Sequence, residues 1–290
     1  MGAGPSGIPD QPDGSLLDLL LNEVVPRLNR LACGPESFAP ISGNPAEPGR
    51  AVTAMQADAE PARSGPLFVQ ALELAEHCER ADAKAATGLV ARLRADGVPA
   101  EALMLQLITP AAQHLGQGWV DDRISFTDVT IGAGLLQEIF SSLMDDFHAQ
   151  GALAERDAAD APRGFFCTMP GASHRLGVQM VRAFFARAGW QTRLGHGDEA
   201  ALISQMLAAR PGLIALSLGS ETDLRNATGF ILRARHACRS FEPVIMVGGA
   251  AVPFFPSLVD RLDADIVSGD ALDALARATE LVKERAVGTR

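Results

Sequence analysis

The residues of this chain best suited to chemistry lie in its second half. His174 sits in "MPGASHRLG", Gly177 follows three positions later, Ser217 closes "LIALS", and Gly248–Gly249 come directly after "VIMV". An imidazole in a loop can offer a ring nitrogen to a metal. A glycine at the start of a helix lets another group approach the backbone closely. Taken singly, each has an ordinary alternative: a solvated loop histidine, or a glycine pair in a turn. A phosphate-binding loop is not expected, because "MPGASHRLG" has neither the GxGxxG spacing nor the Lys and Ser/Thr of a nucleotide loop. The four cysteines, Cys33, Cys78, Cys167 and Cys238, show no CxxC pairing. They fit neither a zinc site nor a disulfide framework, and read as buried or incidental thiols of a reducing cytoplasm.

The elements that must position these residues follow from a change of rhythm along the chain. From residue 162 the short apolar runs "GFFCTM", "WQTRLG", "GLIALSLG", "PVIMVGG" and "ADIVSGD" alternate with helical stretches, the first over about Leu176 to Ala188. Strands alternating with helices predict a parallel sheet covered on both faces. The near-continuous apolarity of the runs agrees with that burial. The expected class is α/β, a Rossmann-like (flavodoxin-like) doubly wound parallel five-stranded sheet over residues 162–290. Ligands of such sheets bind at the carboxyl ends of the strands. His174, Ser217 and Gly248–Gly249 all fall there.

Residues 66–149 read as four helices with short connections, a small bundle. The first begins with Leu67, Val69, Ala71, Leu72 and Ala75, and "AKAATGLVARLRADG" makes the second. "PAEALMLQLITPAAQHLGQGW" makes the third, with Pro110 expected to interrupt it. Ser125 caps the fourth, with Asp128 at the capping-box position. Phe126, Val129, Leu136, Ile139, Phe140 and Leu143 form its apolar stripe. Residues 1–65 carry an amphipathic segment, Ser15 to Leu31, that Pro26 kinks or ends, followed by a Pro/Gly/Ala-rich linker. The segment reads equally well as a helix packed on the body or as a partner-binding arm.

The whole chain of 290 residues has a formal charge of −10, which disfavours a broad phosphate-binding surface. It lacks a secretory signal pattern and any apolar run of about 20 residues, so a cytoplasmic protein with no membrane partner is expected.

With its bundle ahead of an α/β domain and with "SHRLG", "SLG" and "VGGAA" in that order, the chain resembles the cobalamin-binding modules of methionine synthases, corrinoid proteins and light-sensing regulators. Their pattern is Asp-x-His-x-x-Gly, then Ser-x-Leu, then Gly-Gly. Here His174 and Gly177 match, 39 residues (178 to 216) precede Ser217, and Gly248–Gly249 follow. The resemblance implies that His174 is the lower axial ligand of cobalt. It also implies that Ser173, Gly177, Ser217, Gly219, Gly248 and Gly249 line the cofactor site, where the displaced nucleotide tail threads between sheet and helix. Two positions depart from the pattern. Ala172 stands where the aspartate would hydrogen-bond the imidazole and tune it, and Gly219 stands where leucine is expected.

"HLGQGWVDDRISFTDVT" resembles the cap helices of the same proteins, which puts Trp119 over the upper axial face; Val129–Thr130 stand where a Glu-His pair is common. His114 and His148, also in the bundle, read as exposed helix histidines, although either is a conceivable upper ligand. Among these proteins the chain looks most like the AerR/PpaA group of cobalamin-dependent antirepressors. That likeness implies a non-enzymatic, light- or cobalamin-responsive regulator binding adenosyl-, methyl- or hydroxocobalamin. Its partner would be a PpsR/CrtJ-type transcriptional repressor, with indirect or weak DNA contact. The rivals are a corrinoid carrier subunit of a methyltransferase and a haem-binding redox sensor of the same fold.

Overall fold

The structure, a computed structural model, describes residues 65–149, 161–172 and 175–288. The amphipathic segment and linker expected before residue 65 lie outside the described residues.

Four rods form the first unit. Helix α1 (Phe68–Glu79) and α2 (Ala83–Ala95) are followed by a third rod made of α3 (Ala100–Ala102), a π-helical turn (Leu103–Ile108) and α4 (Thr109–Val120); α5 is Phe126–Ala149. Asp82 starts α2 by accepting the Ala85 N–H, as an N-cap aspartate should. The expected break at Pro110 does not occur. Pro110 has no N–H and its ring crowds the carbonyl four residues back. The upstream turn widens instead: the N–H of Thr109 donates to the Met104 carbonyl, and so does its hydroxyl, at 3.0 Å. A π-turn absorbs the proline while the rod runs on.

Ser125 holds the start of α5 in a variant of the expected cap. Its hydroxyl accepts the Asp128 N–H at 3.2 Å and donates to the Asp128 carboxylate at 2.5 Å. The α1 stripe is Ala71, Leu74, Ala75 and Cys78, whereas Val69 is 73% exposed and off that face. The α5 stripe is Gly132, Leu136, Ile139, Phe140, Leu143 and Phe147, one side of a 3.6-residue repeat.

The second unit is a five-stranded parallel sheet in the order β2–β1–β3–β4–β5: β1 Arg163–Thr168, β2 Gln191–Leu194, β3 Leu213–Ser217, β4 Val244–Gly248 and β5 Ile266–Val267. Between them run α6 (Leu176–Arg187), α7 (Glu199–Ala209), α8 (Glu221–Ala237), α9 (Pro256–Val259) and a closing α10 (Ala271–Gly288). Alternate strand residues point to opposite faces. Phe165, Cys167, Ile214, Leu216, Ile245 and Val247 pack into a core with α7 and α8. Phe166, Leu213, Ala215, Val244 and Met246 pack with α6 and α10. The expected doubly wound architecture is the observed one, with its switch point between β1 and β3.

Helix α6 joins the two units. Val178 and Phe185 face the sheet; Met180, Ala183 and Phe184 belong to the bundle core. Phe184 meets Phe147 of α5 edge-on at 4.9 Å between ring centres, and the Arg187 guanidinium lies 4.5 Å over the Phe147 ring. Burying such an aromatic is worth roughly 1.5–3 kcal/mol, enough for this seam to hold the units together.

Candidate functional site at the carboxyl edge of the sheet

The strand register decides which residues stand together. Thr168 at the end of β1 pairs with Ser217 at the end of β3, and Ser217 pairs with Gly248 at the end of β4. Three residues distant in sequence are thus abreast on the carboxyl edge, each half-buried. Ser173 and His174 belong to the loop between β1 and α6 and lie outside the described residues. The loop is anchored on both sides of them: before by Ala172, whose N–H donates to the Met169 carbonyl at 3.0 Å, and after by the start of α6. Ala172 packs against the apolar core on the α7–α8 side and carries no polar group toward the loop.

Gly177, in the first turn of α6, is exposed. A Cβ built there would stand 3.5 Å from the Ser217 hydroxyl, an ordinary contact. The backbone therefore does not demand glycine. The missing side chain leaves room for about one methyl group between α6 and the Ser217 hydroxyl. Gly248 and Gly249 are different. A Cβ on Gly248 would come within 2.7 Å of the Ser268 carbonyl, and Gly249 has φ +109° with the Leu218 carbonyl 2.4 Å from its would-be Cβ. The turn after β4 requires both glycines, through backbone approach and a left-handed conformation. Gly219 is exposed, and its N–H is taken by the Asp223 carboxylate at 2.9 Å. Asp223 also accepts the Ser220 N–H while Ser220 accepts the Asp223 N–H, a capping box that satisfies the start of α8 internally.

Contacts along α6 place the cap. Glu101 pairs with Arg187 at 3.0 Å, and the Thr109 hydroxyl reaches the Met180 sulfur at 3.3 Å, so the third rod runs antiparallel to α6. Trp119 is ten residues beyond Thr109, about 15 Å of helix, whereas α6 begins four residues, about 6 Å, before Met180. The third rod therefore runs past the start of α6, with half-buried Trp119 at that end. Helix α5 runs with α6, joined through Gln137 Nε2 to Gln179 Oε1 at 2.6 Å, and its first turn with Phe126 lies at the same end. His114 is half-buried in α4, about 7.5 Å of helix from Trp119. His148 is exposed near the far end of α5, some 33 Å of helix from Phe126. That distance removes it from any role above this edge.

Sequence reasoning passed over His196. It is exposed just past β2, on the same edge, and its carbonyl accepts from Gln205 at 2.7 Å. Its position after "QTRL" was the available signal. Among the described residues no group of three His, Cys, Asp or Glu could hold a metal ion. A cleft of about 440 Å³ lined by Ala91, Arg94, Val98 and Asp146 lies at the opposite end of the bundle, away from these residues. Among the described residues no helix is long and apolar enough to cross a membrane.

No protein-family model matches the chain. It is similar to an uncharacterized 20.5 kDa protein from the bchF–crtJ intergenic region of Rhodobacter capsulatus, 27% identical over 180 residues that cover 61% of this chain and 90% of the relative. In structure it is similar to the Methanosarcina barkeri monomethylamine corrinoid protein, with a TM-score of 0.60 and 16% identity over 72% of this chain and 96% of that one. A cobalamin-binding protein from Desulfitobacterium hafniense matches at a TM-score of 0.37 and 17% identity, over 72% of this chain and 97% of that one. What the likeness to the corrinoid protein establishes is the fold: a parallel five-stranded α/β sheet preceded by helices.

Proposed function

We propose that this protein is a cobalamin-binding, light-responsive regulator that acts through a PpsR/CrtJ-type repressor and catalyses no reaction. The observation that carries the cofactor is the side-chain-free approach of Gly177 to Ser217 at the switch point, with Trp119 on the rod that runs past the start of α6. The residues present fit such a group. Gly177 puts no side chain beside the Ser217 hydroxyl, where a larger residue would crowd a thin tail, and Trp119 could cover one face of a flat ligand. The fold likeness to a corrinoid protein supports the same reading.

In this reading His174 would hold cobalt through one ring nitrogen, and the nucleotide tail would run beside Gly177 and Ser217, with Ser173, Gly219 and the Gly248–Gly249 turn at its margin. Trp119 covers the upper face. Bound alkylcobalamin supplies a cobalt–carbon bond that light breaks. Ala172 provides no carboxylate to orient the imidazole, so His174 would hold cobalt more softly than a histidine with a charged partner behind it. The regulatory role draws support from the relative encoded beside crtJ. The repressor, the cytoplasmic setting and the indirect contact with DNA belong to the same proposal. The corrinoid protein among the structural neighbours makes a methyl carrier the second reading; methyl transfer from bound methylcobalamin to a separate enzyme would select it.

The test is titration of the full chain with adenosyl-, methyl- and hydroxocobalamin, in darkness and after illumination, for wild type, His174→Ala and His196→Ala. Loss of the imidazole-ligated spectrum in His174→Ala alone is expected. Equal binding and an unchanged spectrum in that variant would refute the ligand assignment, and a Soret band in the purified protein would point to haem.

A further inference from the structure

The turn that carries Trp119 is over-determined. Gly118, immediately before it, is buried, and a Cβ there would stand 2.3 Å from Ile124 Cδ1 and 2.8 Å from Cγ1. Ile124 is itself 4% exposed. The Gly118 carbonyl accepts two N–H groups, from Arg123 at 2.8 Å and Ile124 at 3.1 Å, and the Trp119 carbonyl accepts that of Asp122 at 3.1 Å. Asp122 takes the left-handed conformation, φ +60°, that reverses the chain. The Gln117 amide donates to the Asp121 carboxylate at 2.7 Å across the same corner. A glycine in a helix costs stability relative to alanine, so its use in this last turn calls for a steric reason. Here the Ile124 side chain supplies it.

We infer that the Gly118–Ile124 contact is a positioning device: it seats the α4–α5 corner so that Trp119 stands at a fixed height over the carboxyl edge and shields the upper face of the ligand there. This rests on the cobalamin reading for its function but on packing alone for its geometry. Gly118→Ala pushes Ile124 away and tilts the corner. Adding Ile124→Ala removes both clashing atoms and leaves only Cβ, 3.6 Å away, so the double variant lets Trp119 return.

The experiment uses the full chain with Trp190→Phe, leaving Trp119 as the one fluorophore of the two tryptophans. Iodide quenching of Trp119 is expected to change about two-fold in Gly118→Ala and to recover in Gly118→Ala/Ile124→Ala. The photolysis rate of bound adenosylcobalamin is expected to follow the same pattern, with the His174-dependent band retained. Quenching equal to the parent in Gly118→Ala, or no recovery in the double variant, overturns the inference. Should Gly118→Ala fail to fold, Ile124→Val, which deletes only the nearest atom, is expected to increase quenching, and an unchanged value would sink the device. Because quenching needs no cofactor, a parent that binds no cobalamin defeats the cofactor reading without touching this result.

Discussion

Gly177 and Ser217 face each other across the gap between the first turn of α6 and the end of β3, close enough that a methyl on one would just touch the hydroxyl of the other. The gap is a property of side-chain size, not of backbone geometry. Gly177→Ala should therefore fold well and gain about 0.5–1 kcal/mol from better helix propensity. Gly177→Leu should fold too, since the glycine is exposed, but fill the gap and weaken cobalamin binding at least ten-fold. Thermal melts and absorbance titrations separate the two effects. Undiminished binding by the leucine variant would mean that nothing threads there.

The glycine pair after β4 gives the opposite expectation. Gly248→Ala drives a methyl toward the Ser268 carbonyl, and Gly249→Ala adds a strained φ to a clash with Leu218. Each should cost about 2 kcal/mol or more, with Gly249→Ala the worse. Urea denaturation checks this. A neutral result at Gly249 would contradict the turn as described.

At the seam between the units, Phe184→Ala empties a site shared with Phe147 and Arg187. A loss of about 3–5 kcal/mol is expected. Wild type should unfold in one calorimetric transition and the variant in two, because the seam is what makes the units cooperative. Two transitions already in wild type would contradict that.

Burial pushes the thiols of Cys78 and Cys167 up to about 12, and that of Cys238 upward as well. In the unfolded chain a thiol ionises near 8.5. The folded state therefore holds more protons above that pH. Stability is undiminished below about pH 8.5 and falls as pH rises toward 12, on the order of 1 kcal/mol per thiol per pH unit. Stopped thiol labelling should find these three unreactive at pH 8 until denaturant is added; prompt labelling of Cys167 would contradict its burial in β1.

Much of this molecule was legible in its amino acids, and the reasons are specific. The strands could be read because parallel strands are apolar on both sides, and "LIALS" and "VIMV" say so directly. Their carboxyl ends then located Ser217 and Gly248. What periodicity does not encode is which groups meet across elements. Pro110 looked like a break because its cost is local, while its relief, a widened turn ending at Thr109, depends on the neighbours. Val69 is apolar by type, yet its angle on α1 turns it to solvent. Gly248 and Gly249 had been read with Gly177 as one kind of feature, yet two are dictated by nearby backbone and only the third leaves space. His196 was overlooked because a lone histidine after a short, polar edge strand carries no pattern. The placement of Trp119 past the start of α6 needed the antiparallel pairing of Thr109 with Met180, information present only in three dimensions.

Past exposed Gly177, helix α6 is packed on two sides. Its inner residues are locked in the sheet and its outer residues in the bundle, so its first turn cannot flap like a loop. A force applied there, three residues from the Gln137–Gln179 tie, is passed to the sheet and to the bundle alike. Whatever acts on that turn therefore acts on both units at once.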